Sequence, residues 1–263
     1  MEFGLKGKNI VVTGAAQGIG AAITRSLLDQ GAYVYAIDLQ DFKGSELSTM
    51  TTADEQKNSF VYHKVDASDL DAIKNIFDHN SKRTVLSGLV NNAGLLGLEP
   101  ERTLEQWKRY IDAHAKTAFV MTEVCYPLMK EGGSIVNMGS IELEMCSKDV
   151  VLYTAGKGAV LGLTIGYSVT LAPFKIRVNM VSPGNVNTKK NIKQYQDNPE
   201  TKKVIEKFEY RTPLKRSVYP MEVANEVLFL LSDLSSGTTG QNRIIDCGYT
   251  RALWDDAWLK QDS

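Results

Sequence analysis

Tyr153 and Lys157 stand four residues apart, and Ser140 precedes Tyr153 by thirteen. On a helix, side chains at i and i+4 share a face, so phenol and ammonium meet. A phenol can give or take a proton, but its free pKa of about 10 is poorly matched to neutral pH. An adjacent ammonium favours the phenolate. Lowering the phenol by about two to three units asks for roughly 3–4 kcal/mol of differential stabilisation, attainable in a closed site. Ser140, just past the apolar run Ile135–Met138, is in a position to meet a ligand at the carboxyl end of a sheet. Tyr126 and Lys130 repeat the spacing, but thirteen residues before Tyr126 lies Ala113, which offers no chemistry.

A second cluster points to a phosphate-bearing ligand. The apolar run Ile10-Val11-Val12 leads into Thr13-Gly14-Ala15-Ala16-Gln17-Gly18-Ile19-Gly20, and a helical pattern follows. Glycines at 14, 18 and 20 permit a tight turn, close backbone approach to a pyrophosphate, and close helix–strand packing. Gln17, Gly18 and Ile19 then sit where a helix N-terminus offers N–H groups and a positive dipole end to phosphates. The next apolar run ends at Asp38, 24 residues after Gly14. A carboxylate there accepts hydrogen bonds from both adenosine ribose hydroxyls and repels a 2′-phosphate. Its neighbours Leu39 and Gln40 carry no positive charge, which favours NAD over NADP; Asp38 as a plain strand-end turn residue is the competing reading.

These groups need a scaffold. Strands are predicted at Asn9–Thr13, Tyr33–Ile37, Phe60–Val65, Gly88–Asn91, Ser134–Met138, Lys175–Val181 and Arg243–Asp246, all short and apolar. Helices are predicted at Ile19–Gln30, Asp69–Asn80, Leu104–Met129, Leu152–Leu171 and Met221–Leu231. The alternation predicts one α/β domain over 1–263, a doubly wound Rossmann-type fold with a parallel seven-stranded sheet and helices on both faces. Continuous rather than alternating apolar runs fit strands covered on both sides. Residues 185–215, rich in lysine with Tyr195, Phe208 and Tyr210 interspersed, read either as a solvated helical excursion or as a mobile lid.

Taken together, the chain resembles a classical short-chain dehydrogenase/reductase over nearly its full length. Thr13-Gly14-x-x-x-Gly18-Ile19-Gly20, Asn91-Asn92-Ala93-Gly94, Ser140, Tyr153-x-x-x-Lys157, Pro183-Gly184 and Asp246-Cys247-Gly248-Tyr249 occur in family order and spacing. The resemblance implies hydride transfer between substrate carbon and a nicotinamide, with Tyr153 as general acid/base. Lys157 would hold the nicotinamide ribose, and Ser140 would aim the substrate oxygen. It further implies that Asp66 meets the adenine amino group with Ala67 beside it. Asn92 and Gly94 would line the adenosine and ribose, and Pro183, Gly184, Val186 and Thr188 would wrap the carboxamide. Asp66 reads equally as a cap before a helix start at Ser68–Asp69.

One residue departs from the family pattern. Counting seven from Trp107 gives His114 where the family usually places an asparagine that holds a relay water. Histidine also donates and accepts, so a relay could survive. The alternatives are a packed core histidine, a slow relay, or a protein that binds NAD without catalysis. His63 and His79 show no partner pattern and receive no role. Glu142 and Glu144 alternate after Ser140; on an extended segment both would face a substrate and could accept hydroxyls of a polyol, cyclic diol or sugar derivative. Solvent-facing loop charge is the plainer reading.

Composition bounds the rest. The 263 residues hold 30 basic and 31 acidic side chains, a net charge of −1, so nothing favours nucleic acid or an anionic membrane. Three separated cysteines (Cys125, Cys146, Cys247) give neither a disulfide framework nor a metal pattern, and suggest a reducing, cytoplasmic setting. No apolar run suggests a membrane span or signal segment; Gly158–Phe174 reads as a buried helix. The expected reaction is interconversion of a secondary alcohol and a ketone on a small-molecule substrate. A biosynthetic reductase or epimerase on an activated substrate is the alternative. In the family the helices at 104–129 and 152–171 pack on a second copy, implying a homodimer or homotetramer. In the tail 251–263, Trp254 and Trp258 share a helical face and are expected to cover a neighbouring subunit or the substrate mouth.

Overall fold

Seven runs rich in valine and isoleucine form seven parallel strands in the computed structural model, which describes residues 2–78, 85–95, 101–129 and 132–252. The strands are β1 Asn9–Thr13, β2 Tyr33–Asp38, β3 Phe60–Lys64, β4 Gly88–Asn91, β5 Gly133–Met138, β6 Ile176–Pro183 and β7 Asn242–Ile245. They lie in the order β3-β2-β1-β4-β5-β6-β7. The order reverses beside β1, which opens a crevice at the carboxyl ends of β1 and β4.

The central strands are apolar on both faces because helices cover both, whereas the edge strands β3 and β7 are only partly buried. On one face Ile23 and Leu27 of α1 (Gly18–Asp29) and Val223 and Leu228 of α10 (Pro220–Leu231) pack with Val12, Val34 and Val136. On the other, Ile73 and Phe77 of α4 (Leu70–Asp78) and Met121 of α6 (Thr117–Cys125) pack with Val11, Ile37, Leu89 and Ile135. Between β5 and the helices runs a buried polar chain. Asn91 Nδ2 donates to Asn137 Oδ1 at 2.8 Å, and Asn137 Nδ2 donates to Thr164 Oγ1 at 2.9 Å.

Several predicted elements differ from the observed ones. The sequence suggested a single helix over 104–129. The chain instead forms α5 (Leu104–Ile111), a π-helical turn at Asp112–Lys116, α6, and a 3₁₀ turn at Tyr126–Leu128. The Thr117 hydroxyl donates to the Asp112 carbonyl, five residues back, at 3.0 Å and so supports the wide turn. The sixth strand begins at Ile176 rather than Lys175, because Lys175 adopts a left-handed φ of 60° after α7 (Val151–Thr170). Two short helices precede β3: α2 (Glu46–Met50), capped by Ser45, and α3 (Ala53–Asn58), capped by Thr52. The 185–215 excursion holds α8 (Lys189–Asp197) and α9 (Pro199–Arg211), capped by Thr188 and Asn198. It is anchored on the body: Tyr195 donates to Asn185 at 3.0 Å, Ser217 to Glu209 at 2.7 Å, and Phe208 stacks on Tyr249 at 4.1 Å.

Cys125, Cys146 and Cys247 are free thiols. Among the described residues no helix is long and apolar enough to cross a membrane. His79, Lys130, Trp254 and Trp258 lie outside the described residues.

Candidate active site

The glycine turn joins β1 to α1 in the way its residues demand. Gly14 has φ +64°, and a Cβ there would lie 2.9 Å from Ala93 Cα; a Cβ on Gly20 would lie 2.0 Å from the Gly14 carbonyl oxygen. Only glycine fits either place. Thr13 locks the turn: its Oγ1 accepts from the N–H groups of Asn92 and Ala93, each at 3.0 Å. Asn92 answers with its amide, donating to the carbonyls of Thr13 and Gly14 at 3.0 Å each. The Asn92 side chain is thus a brace for the turn. Ile19 is half-buried against the α1 core, while Gln17 and Leu39 are exposed.

Asp38 closes β2 beside this turn. Its Oδ2 accepts from Ala16 N and its Oδ1 from Gln40 N, both at 2.9 Å. One unexpected group joins it. The N–H of Gly18, which the sequence offered to a phosphate, donates to Glu46 Oε2 at 2.9 Å. Asp66 is exposed and caps the turn to α4, accepting from Ser68 N at 2.8 Å; Ala67 is buried beside it. The glycine cradle, the N-terminal N–H groups of α1 and an acceptor at the end of β2 are groups a dinucleotide needs, and Glu46 occupies one of those N–H groups.

The reactive cluster lies at the carboxyl end of β5. Ser140 is the N-cap of a 3₁₀ turn at Ile141–Leu143, and its Oγ accepts from Glu142 N at 3.2 Å. Tyr153 and Lys157 project from the first turns of α7, and all three side chains are buried. Lys157 Nζ donates to the Met138 carbonyl at 2.8 Å and stands 5.8 Å from the Tyr153 ring centre. Burial holds the Lys157 ammonium down at about 8. Burial also pushes the Tyr153 phenol up; its hydrogen bond with Ser140 opposes this, and the Glu142 charge adds to it. The lowering expected from Lys157 is therefore not supplied by these residues alone, because desolvation dominates.

His114 sits in the π turn and closes the cluster from behind. Its ring meets the Tyr153 ring edge-on at 5.3 Å. A Cβ on Gly94 would lie 2.6 Å from His114 Nδ1, and one on Gly156 would lie 2.9 Å from its Cδ2. The imidazole is clasped between two glycines. It is 2% exposed, and among the described residues neither ring nitrogen has a hydrogen bond of good geometry. Burial drives its pKa down to about 3; the Lys157 charge adds to this, and the facing Leu95 backbone opposes it.

The expectation that Glu142 and Glu144 alternate on an extended segment fails. Residues 141–143 form a 3₁₀ turn, whose rotation per residue sends the two side chains different ways. Glu142 is tied back to Ser147, accepting from its N at 2.6 Å and its Oγ at 2.8 Å, while Glu144 is exposed. Past β6, a Cβ on Gly184 would lie 3.0 Å from Asp246 Cβ. Asp246 accepts from the N–H groups of Gly248 and Thr250 at 2.8 and 2.7 Å and fixes the chain behind Pro183. Val186 is buried and bridges to Val218; Thr188 Cγ2 would lie 3.2 Å from a Cβ on Gly18. Among the described residues no cluster of three histidine, cysteine or carboxylate side chains is placed to hold a metal. The roles of Thr13 and Glu46 carry no local sequence signal, since both depend on contacts across the fold.

Comparison with known proteins agrees with this architecture. The family model described as enoyl-(acyl carrier protein) reductase matches residues 14–250. A D-xylose 1-dehydrogenase of Caulobacter vibrioides is 35% identical over 249 residues, covering 93% of this chain and 96% of the relative. A cyclopentanol dehydrogenase of Comamonas sp. is 33% identical, covering 92% and 97%. The solved structure of Thermoplasma acidophilum aldohexose dehydrogenase superposes with a TM-score of 0.85 at 28% identity, covering 97% of this chain and 99% of that one.

Proposed function

The chain belongs to the short-chain dehydrogenase/reductase family, and from that premise we propose that it is an NAD-dependent oxidoreductase interconverting a secondary alcohol and a ketone. The observation that carries this reading is the meeting of Ser140, Tyr153 and Lys157 at one strand end, one crevice away from the glycine turn. A bound nicotinamide supplies or accepts the hydride. Tyr153 moves the proton, taking it from the alcohol as phenolate or giving it to the forming alkoxide. Ser140 bonds the same substrate oxygen and the phenol, which holds the two in line. Lys157 is the charge that favours phenolate once its burial is offset by ligand hydroxyls.

Asp38 favours NAD: its carboxylate faces the turn that would hold the ribose and repels a 2′-phosphate. Gly14, Gln17, Gly18, Ile19 and Gly20 are assigned to the pyrophosphate side. Leu39, Asp66, Ala67, Asn92 and Gly94 are assigned to the adenosine side, and Pro183, Gly184, Val186 and Thr188 to the nicotinamide side. His114 is neutral near pH 7, and among the described residues neither nitrogen has a hydrogen bond of good geometry, so a bridging water toward Lys157 suits it as a relay.

For substrate we favour a polyhydroxylated or cyclic alcohol, the class that the names of the sugar and cyclopentanol dehydrogenases among the relatives suggest. Glu142, whose charge reaches Tyr153, is the acceptor we assign to a further hydroxyl; Glu144 lies outside that arrangement. The exposed Trp107, Phe119, Ile165 and Val169 on α5, α6 and α7 support a homodimer or homotetramer built on those helices. Free cysteines suit a cytoplasmic setting.

The test is fluorescence titration with NADH and NADPH, followed by a panel of sugars, polyols and cyclic alcohols. NADH is expected to bind more tightly than NADPH, with turnover of at least one panel member. Tyr153→Phe should lower kcat by about a thousandfold or more while leaving NADH binding within about twofold. Retained turnover in that variant refutes the acid/base assignment.

A further inference from the structure

Helix α1 has no acidic residue in its first turn, and Gln17 makes no side-chain cap. The Gly18 N–H is answered from another element, by Glu46 of α2, whose side chain is 18% exposed. The other oxygen of that carboxylate, Oε1, stands 3.5 Å from Lys189 Nζ, on a side chain 70% exposed at the first residue of α8. The approach is close because Thr188, one residue earlier, lies over Gly18. One carboxylate thus joins the glycine turn to the excursion helix. A dinucleotide's diphosphate needs the same N–H and carries the same sign of charge as Glu46. Two anions cannot share one amide hydrogen at low cost, and the cation beside them can pair with either.

We propose that Glu46 and the cofactor's diphosphate exclude each other at the Gly18 N–H, and that Lys189 passes from Glu46 to the diphosphate. The inference rests on the dinucleotide reading above and deepens it. Glu46 lowers cofactor affinity, Lys189 raises it, and the exchange draws the start of α8 onto the ligand.

The test measures NADH affinity by fluorescence titration and adenosine affinity by calorimetry, for the wild-type protein, E46Q, K189M and the double variant. Adenosine is the probe that lacks a diphosphate. E46Q should tighten NADH about three- to tenfold, the range of an anion's worth at a helix N-terminus, and leave adenosine unchanged. K189M should weaken NADH by a similar factor, and should do so in the E46Q background as well. If E46Q weakens NADH or leaves it unchanged, Glu46 is a standing cap and the proposal fails. It fails equally if K189M has no effect. Should E46Q unfold, K189M at its exposed position decides alone. Wild-type protein that binds neither NADH nor NADPH overturns the dinucleotide reading and this proposal together. Wild-type binding with unaltered variants overturns only this one.

Discussion

Replacing His114 by asparagine changes how stability depends on pH, and the size of the change follows from the burial of the ring. His114 titrates at about 3 in the folded protein, against an ordinary value of 6.5. The unfolded chain therefore binds a proton at 114 below pH 6.5, and the folded chain does not. The folded pKa is depressed, so the contribution is fully present above 6.5 and is lost as pH falls toward 3. Linkage sets the slope at about 1.4 kcal/mol per pH unit inside that window. Relative to pH 7.5, the histidine should cost about 1.4 kcal/mol at pH 5.5 and about 2.7 kcal/mol at pH 4.5. Carboxylates also lose stability in acid, Glu55 among them since Arg25 holds it down at about 2, and His63 adds a smaller loss of the same sign. Those contributions are common to the wild-type protein and His114→Asn, and they cancel in the difference between the two. Any cavity left by the smaller side chain shifts all pH values alike. The assay is urea unfolding followed by fluorescence at pH 7.5, 6.5, 5.5 and 4.5. The wild-type protein should lose stability faster than the variant by the amounts above. Parallel curves would refute the claim that a neutral imidazole is locked behind Tyr153.

Two further variants probe the same frame. Asp38→Ala should weaken NADH by about ten- to a hundredfold, the worth of hydrogen bonds to a charged acceptor, while NADPH changes much less; equal losses for both cofactors would remove Asp38 from the ribose site. Gly156→Ala gains about 1 kcal/mol of helix propensity, but overpacking against the buried His114 ring costs about 1–3 kcal/mol. A net loss in urea is expected, and a gain would mean that the ring has room to move.

The sheet was legible because its strands are doubly covered. Val11 and Val12 face opposite layers yet both must be apolar, so the runs stand out from the polar segments between them. The glycine turn and the Tyr153–Lys157 pair were legible because their spacing is local. What escaped was set by contacts over distance or by backbone detail. The π turn around His114 is supported by the Thr117 hydroxyl reaching the Asp112 carbonyl, which no composition announces. A helical excursion at 185–215 was one of two open readings; its division into α8 and α9 is marked by the caps Thr188 and Asn198, and their few apolar residues leave each helix with a narrow apolar stripe. Glu46 meets Gly18 across 28 positions of chain, and nothing near either residue foretells it. Glu142 was misread because alternation is a property of strands, and the chain there is a 3₁₀ turn.

The buried amide chain through Asn91, Asn137 and Thr164 has a consequence for alignment. Parallel central strands that are apolar on both faces carry little information about which residue should lie beside which. β4 has only four residues, and its leucine and valine would pack almost as well one step along β5. Asn91 pairs directly with Asn137 across the two strands. Any slip breaks the amide–amide bond between them in an apolar interior and leaves the Asn137 carbonyl oxygen without its donor, at a cost of about 1–3 kcal/mol. One step of slip is about 3.3 Å, more than a hydrogen bond tolerates. Because Ser140 lies two residues past the end of β5, these two asparagines act as a vernier mark for the strand that delivers the serine to the site.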